Sequence, residues 1–464
     1  MTLCLPTILF SAPPHPYFNR FFFDFRGLPS CFVGILSCLG VPVRRPRAHF
    51  RAVPSSFAEN NRPMNTLLTP TAPTLRPTAG TERIRLIDAL RGFALLGIIL
   101  ANIGSFGGTG WFTEAQLRAL PTSPADQVTD FLMALLIDRK FITLFSLLFG
   151  VGMALQEQRA RAAGKPFAGY FVRRMLILIL IGCLHAYVLW FGDIIRYYAL
   201  GGLLLLTLRN ASNQTLLRVG IGSGVFLTAV VFILNGLFPA DPVYAGSPVP
   251  IQQRILTAFA SDSYREMVAM NWLIDSVHNF WQDSPITIVS TFGRIVLGYW
   301  LGRIGLFADP AAHARRLKQW LVWGLGLGLP SSLALWAVTK GYLELELPLI
   351  WLPFVIAAGI LLQSLAYISL FVRWYRRAAG SAWMRAFEAV GQLSLTNYLL
   401  QTILGLFLFY GFMPGPGWLG QIGSTGLAGI AVGIYGLQLL FSRWWLSRHR
   451  QGPVEWAWRK LAYA

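Results

Sequence analysis

From Ile84 to the C-terminus the chain alternates between long apolar runs and short polar connectors. Ten runs lie near 86–104, 141–156, 175–191, 194–208, 216–238, 286–306, 319–338, 348–371, 386–411 and 425–447. About 20 apolar residues cross a bilayer core as a helix, within a workable range of about 17–25. The connectors alternate in charge. Those after the second, fourth, sixth and eighth runs are rich in Arg and Lys, whereas those after the odd-numbered runs are acidic, balanced or uncharged. Because Lys and Arg stay on the cytoplasmic side, the pattern predicts an all-α polytopic membrane helix bundle. It has about ten transmembrane helices, both termini in the cytoplasm, and a place in the inner membrane.

Composition agrees with that class. The chain is 55% hydrophobic and only 13% charged, where a soluble domain carries about 25% charged residues. The net charge of +19 would suit nucleic acid only if the basic residues formed one stripe. Instead they fall in separate clusters: Arg159, Arg161, Lys165, Arg173 and Arg174; then Arg315, Arg316 and Lys318; then Arg373, Arg376, Arg377 and Arg385; and finally Arg443, Arg448, Arg450, Arg459 and Lys460. These positions suit anionic lipid head groups, so membrane lipids are the expected partners and nucleic acid is not. Cys4, Cys31, Cys38 and Cys183 have neither zinc-site nor redox spacing, and no metal site is expected.

Residues 1–80 are rich in Pro, Ser, Arg and Phe and read either as a disordered leader or as sequence upstream of an alternative start at Met64. The membrane domain is 84–464. Two outer connectors are long. One runs from Gly104 to Arg139 and includes Gly107-Gly108-Thr109-Gly110; the other, from Pro239 to Pro285, has room for amphipathic helices over the bundle mouth. The second reads as an ordinary solvated loop or as a lid. In the tail, Gly452-Pro453 breaks the last long helix and a short interfacial helix follows, with Glu455 and Arg459 spaced to pair.

A charge at bilayer mid-depth costs about 2.5–3.5 kcal/mol on insertion scales, so polar residues inside the runs need a partner or a cavity. Asp88 and Arg91 share one face of the first helix near its cytoplasmic end. They read as a structural ion pair or as a wall of a pocket for an anionic group. Asp138, Arg139 and Lys140 stand at the outer entrance of the second helix, where snorkelling accounts for them. His185 lies inside the third run, as a satisfied core histidine or as a base or proton relay. Asp193 is two turns beyond it, so contact requires a bend. Asp193 can also pair with Arg196 or with Arg294, which lies about mid-depth in the sixth run. Asn397 and Gln401 lie one turn apart in the ninth run, either bonding across helices or lining a cavity.

The stretch Leu86-Ile87-Asp88-Ala89-Leu90-Arg91-Gly92-Phe93 resembles the opening of the YeiB-like family, bacterial inner-membrane proteins built on a domain of unknown function. Further matches are Lys140-Phe141-Ile142-Thr143, Gly192-Asp193-Ile194, Leu395-Thr396-Asn397-Tyr398-Leu399-Leu400-Gln401-Thr402 and Arg450-Gln451-Gly452-Pro453. The resemblance covers residue 84 to the C-terminus, with its family-typical part at 286–464. That family is distantly similar, mainly in the first helix, to transmembrane acyltransferases, which move acyl groups from a cytoplasmic donor to an acceptor across the membrane. The resemblance implies a catalytic His either eleven residues after Arg91 or in the following loop. This chain has Asn102 at the first place, and no His in Gly107–Glu114. His185 or Glu114 is then left as the base.

The leading expectation is acyl transfer from a cytoplasmic acyl-CoA to a small-molecule or glycan acceptor outside. Asp88 and Arg91 bind the donor, His185 acts as base, Asn102 or Asn397 steadies the oxyanion, and Arg294 binds an anion. Two alternatives stay open. One is a proton-coupled transporter of a small anionic or amphipathic solute, using Asp193, His185 and Arg294, with Asn397 and Gln401 facing a cavity. The other is a structural or lipid-interacting protein without turnover.

Overall fold

Within the described residues each of the ten apolar runs is mostly helical, because each is long and rich in Leu, Ile and Ala. The computed structural model describes residues 84–112, 123–237, 251–275, 284–343 and 350–463, all within the unit Ala72–Ala464. The leader 1–80 and Glu114 lie outside the described residues. No strand occurs among those described.

The first half comprises α1 (Arg85–Phe106), α2 (Pro124–Leu136), α3 (Lys140–Ala162), α4 (Ala168–Leu184), α5 (Ile195–Leu205), α6 (Asn213–Ile221) and α7 (Thr228–Leu237). Two short helices follow, α8 (Ile251–Ala260) and α9 (Tyr264–Leu273). The second half comprises α10 (Ser284–Arg303), α11 (Ala314–Gly326), α12 (Gly328–Thr339), α13 (Leu352–Ala378), α14 (Ala382–Gln392), α15 (Ser394–Phe409), α16 (Ser424–Leu446) and the tail helix α17 (Pro453–Tyr463). Among the described residues six continuous helical segments are long and apolar enough to cross a membrane, or seven if α14 and α15, bent by 85°, form one broken span. These apolar helices mark a membrane protein. The remaining long helices, α3 and α10, lie inside the bundle. A helix enclosed by protein need not be apolar on every face, and α10 keeps Arg294.

Glycines set the closest approaches. A Cβ at Gly150 would sit 2.0 Å from the Ile295 carbonyl oxygen, and one at Gly298 would sit 1.9 Å from that of Leu147. The α3 and α10 backbones therefore touch. In the same way Gly391 of α14 faces the Asp88 carbonyl, 1.8 Å from where a Cβ would lie. This contact brings the break between α14 and α15 up against the first turns of α1.

Two long connectors hold more structure than their polarity suggests. Within the first, Ser123 caps α2 by accepting from Asp126 N, and the Asp126 carboxylate accepts from Ser123 N in return. The Ser-Pro-Ala-Asp sequence carries this capping-box signal. The second connector contains α8 and α9, with Phe259, Met267 and Ile274 buried against the bundle. Its described stretch, 251–275, packs as a cover over the bundle.

Lys140 does not snorkel. It is fully buried and its Nζ donates to Ala134 O at 2.6 Å. Gln363 Nε2 donates to Leu135 O at 2.9 Å and Tyr367 Oη to Leu136 O at 2.7 Å. Lys140 and two side chains of α13 thus donate to the last carbonyls of α2, which no intrahelical N–H can pair.

Candidate functional site

Polar residues gather in two places, joined by α15. The first is a cavity of about 250 Å³ at the end of the bundle where basic connectors meet. Its walls come from the start of α1, the end of α3, the start of α4, the α14–α15 break and the tail helix. Asp88 and Arg91 both line it, their side chains 3.6 Å apart as the i,i+3 spacing requires. Gly152 leaves room for the guanidinium, since a Cβ there would lie 2.7 Å from Arg91 Nη2. Arg159, Arg174 and Arg459 complete the basic lining, facing the carboxylates of Asp88 and Glu455. Arg174 is held by Trp458, whose ring lies 3.8 Å beneath the guanidinium and whose Nε1 donates to Arg174 O at 3.0 Å. The apolar wall includes half-buried Phe145 and Phe149, which stack on Tyr198.

Glu455 also closes the broken helix. Its Oε1 accepts from Leu395 N at 2.8 Å and Thr396 N at 3.0 Å, and Oε2 accepts from the Thr396 hydroxyl. A helix N-terminus carries partial positive charge and unpaired N–H groups. Here the chain supplies its own carboxylate to meet both.

The second place is deep and aromatic. α4 loosens into a π-helical turn at His185–Leu189, and Trp190 is extended (φ −158°, ψ 127°). This bend returns Asp193 to His185, with Nδ1 and Oδ1 3.2 Å apart, somewhat off the line of a straight hydrogen bond. Across the ring, His185 Nε2 lies 2.9 Å from Thr402 Oγ1 of α15. His185 is 1% exposed, Thr402 1% and Asp193 5%. Asp193 is fixed in turn by Ile195 N (3.1 Å) and Arg196 N (3.0 Å). A Cβ at Gly182 would lie 2.9 Å from Asp193 Oδ2, so only glycine fits there. Tyr398 covers the imidazole face with ring centres 5.2 Å apart, and its hydroxyl donates to Gly192 O.

The α8–α9 cover closes over this loop. Arg196 binds Asp275 through both terminal nitrogens, one at 2.6 Å. Tyr264 Oη donates to Val188 O at 2.8 Å, and Phe259 stacks on Phe191. On the cover itself, Gln253, Arg254, Thr257 and Glu266 line an open groove of about 580 Å³.

The other sequence candidates fall outside these clusters. Asn397 commits its amide hydrogens to Val390 O (3.2 Å) and Ser442 Oγ (2.9 Å). Gln401 donates to Leu95 O and Gln438 Oε1, and Gln438 donates to Asn397 O. This is cross-helix bonding, with no amide hydrogen of Asn397 left for an oxyanion. Asn102 is half-buried near the end of α1. Arg294 makes no ion pair with Asp193, whose carboxylate is already held by His185 and Arg196. Sequence reasoning missed Thr402, Glu455 and the three arginines beyond Arg91 as site residues. Their meeting depends on helices distant in sequence, although Thr402 and Glu455 flank or fall within the quoted motifs.

Residues 301–464 match a family model described as a protein of unknown function, DUF418. The chain is 30% identical over 407 residues to the uncharacterized protein YxaH of Bacillus subtilis, covering 84% of this chain and 96% of that one. It is also 30% identical over 391 residues to the uncharacterized protein YeiB of Escherichia coli, covering 82% and 96%. An uncharacterized 39.9 kDa protein of Bacillus acidopullulyticus is 28% identical over 396 residues, covering 83% and 96%. The chain belongs to the YeiB-like family.

Proposed function

We propose that the protein is a membrane acyltransferase that takes an acyl group from a cytoplasmic acyl-CoA and passes it to a hydroxyl or amine on the opposite face. The reading includes about ten membrane crossings, both termini in the cytoplasm and an inner-membrane location. The observation that carries it is the cavity at which Arg91, Arg159, Arg174 and Arg459 converge. Guanidinium groups match phosphate geometry, and the donor is rich in phosphate. Phe145 and Phe149 offer an apolar wall for its thioester arm. From Ser394 at the cavity, α15 leads eight residues on to Thr402, a rise of about 12 Å. There His185, oriented by Asp193, takes the acceptor proton. The Asp193 carboxylate favours the tautomer with hydrogen on Nδ1, leaving Nε2 free to accept.

The 85° break between α14 and α15 favours a second reading, a transporter, because broken helices present their ends to substrate in such proteins. Glu455 already occupies that helix end, which weighs toward the enzyme. The test is binding of acetyl-CoA to the purified full chain, followed by thioester consumption with a panel of hydroxyl and amine acceptors. Micromolar affinity weakened by Arg91→Ala supports the enzyme. Absence of measurable affinity for acetyl-CoA, together with proton-linked solute uptake in vesicles, would replace it with the transporter.

A further inference from the structure

Several buried hydroxyls of the bundle satisfy themselves within their own helix, whereas Thr402, like Ser332 with Gln363 Oε1 at 2.6 Å, bonds to another element. Ser146 donates to Ile142 O, Ser331 to Leu327 O, Ser364 to Ile360 O and Ser369 to Leu365 O, each one turn back along its own helix. This is the ordinary way for a helical hydroxyl to satisfy itself in an apolar interior. Thr402 also sits inside a helix and is equally buried. Among the described residues, however, its hydrogen bond is with His185 Nε2 at 2.9 Å. The imidazole's other nitrogen faces Asp193 at 3.2 Å. A hydroxyl, a base and a carboxylate orienting that base are the arrangement that makes a weak oxygen nucleophilic.

We infer that Thr402 is the nucleophile of the acyl transfer proposed above, carrying the acyl group as an ester between donor and acceptor. The inference rests on that reading for the identity of the donor. His185 Nε2 takes the hydroxyl proton as Thr402 Oγ1 attacks the thioester carbonyl carbon. The C–S bond breaks, the thiolate receives the proton from His185, and the free thiol departs. In the second half an acceptor hydroxyl or amine gives its proton to His185 and attacks the ester carbonyl. The C–Oγ1 bond breaks, and the proton returns to Thr402. Asp193 stabilises the imidazolium in both halves. The mechanism explains how one buried base serves substrates arriving from two sides, because donor and acceptor need not be present together.

The test uses the full chain in lipid nanodiscs with two reagents, acetyl-CoA and the small activated ester p-nitrophenyl acetate, and no acceptor. Peptide mass spectrometry should find one acetyl group on Thr402, absent in Thr402→Val and in His185→Ala and retained in Thr402→Ser. With acceptor present, Thr402→Val should lower thioester turnover about 100-fold or more, and Thr402→Ser should restore most of it. Wild-type turnover in Thr402→Val would overturn the inference, as would absence of acetyl on Thr402 with both reagents. Acetylation of Thr402 by the ester in a protein with no affinity for acetyl-CoA would uphold the nucleophile and overturn the donor.

Discussion

The two ends of α15 sit in opposite surroundings. At Ser394 the helix opens onto a cavity with arginines, carboxylates and glutamine side chains. At Thr402 it is enclosed by Tyr398, Trp190 and the His185–Asp193 pair, with almost no exposed surface. The difference separates two tasks. Several like charges can stand close together only where solvent or a counter-ion reaches them. A proton is moved most effectively where water is excluded and the partner is fixed beforehand. The open end is suited to recognising an anion and the closed end to handling a proton.

Substitutions at each end should separate those tasks. His185→Ala is expected to have the largest effect. Turnover of acyl donor should fall by about 10²–10⁴-fold, the ordinary contribution of a general base. Donor affinity, measured by calorimetry, should stay within about twofold, because the arginine cavity is intact. Loss of affinity in this variant would mean that the two ends are one site.

Arg91→Ala should do the reverse. One charge-assisted hydrogen bond is worth about 1.5–3 kcal/mol, so affinity for acetyl-CoA should weaken about 10- to 100-fold. The turnover number at saturation should change little. Unchanged affinity would remove Arg91 from the binding end.

Glu455→Gln tests the partition between the ends. It removes the charge from the α15 N-terminus, where such charges contribute about 0.3–2 kcal/mol. A drop of a few degrees in melting temperature is expected, with a larger loss if α17 detaches. Full stability would show that the tail helix is held without that charge, through contacts such as Trp458 with Arg174.

The smallest effect belongs to the N-terminal cap of α2. Asp126 accepts from the backbone N–H groups of Thr425 (2.8 Å) and Ser123 (3.0 Å) and from the Ser123 hydroxyl, which hold its carboxyl down at about 2. Its folded value lies below the unfolded value of about 3.9. Its stabilisation is therefore complete above about pH 4 and is lost as pH falls toward about 2. Acid melting curves of the wild type should show this loss, and Asp126→Asn should abolish that component.

Much of the cavity end was legible in the sequence. Asp88 and Arg91 share a helix face by their spacing alone, and their place at a basic end follows from the connector pattern. Arg174 and Arg459 read as topology-setting charges, and nothing local says that they converge. At the closed end, His185 stood out because a histidine inside an apolar run is costly to leave unpaired. Its partners were hidden for different reasons. A straight helix would hold Asp193 two turns away, and only the π-helical turn and the extended Trp190 bring it back. Thr402 stands in a stretch that matches the family, and nothing local sets it apart from other helical hydroxyls. Lys140 looked like a snorkelling interface residue, and only its packing against the end of α2 gives it a different role.

The sequence by itself determined that this chain is helical, apolar and sorted by charge, because helix-length runs and connector charges are local properties set by solvent and lipid. It also determined which polar residues would need partners. Which partners they have was decided by tertiary structure. A hydrogen bond between His185 and Thr402, 217 positions apart, depends on how helices cross, and crossing is set by close backbone contacts such as Gly150 with Ile295, which no single segment encodes.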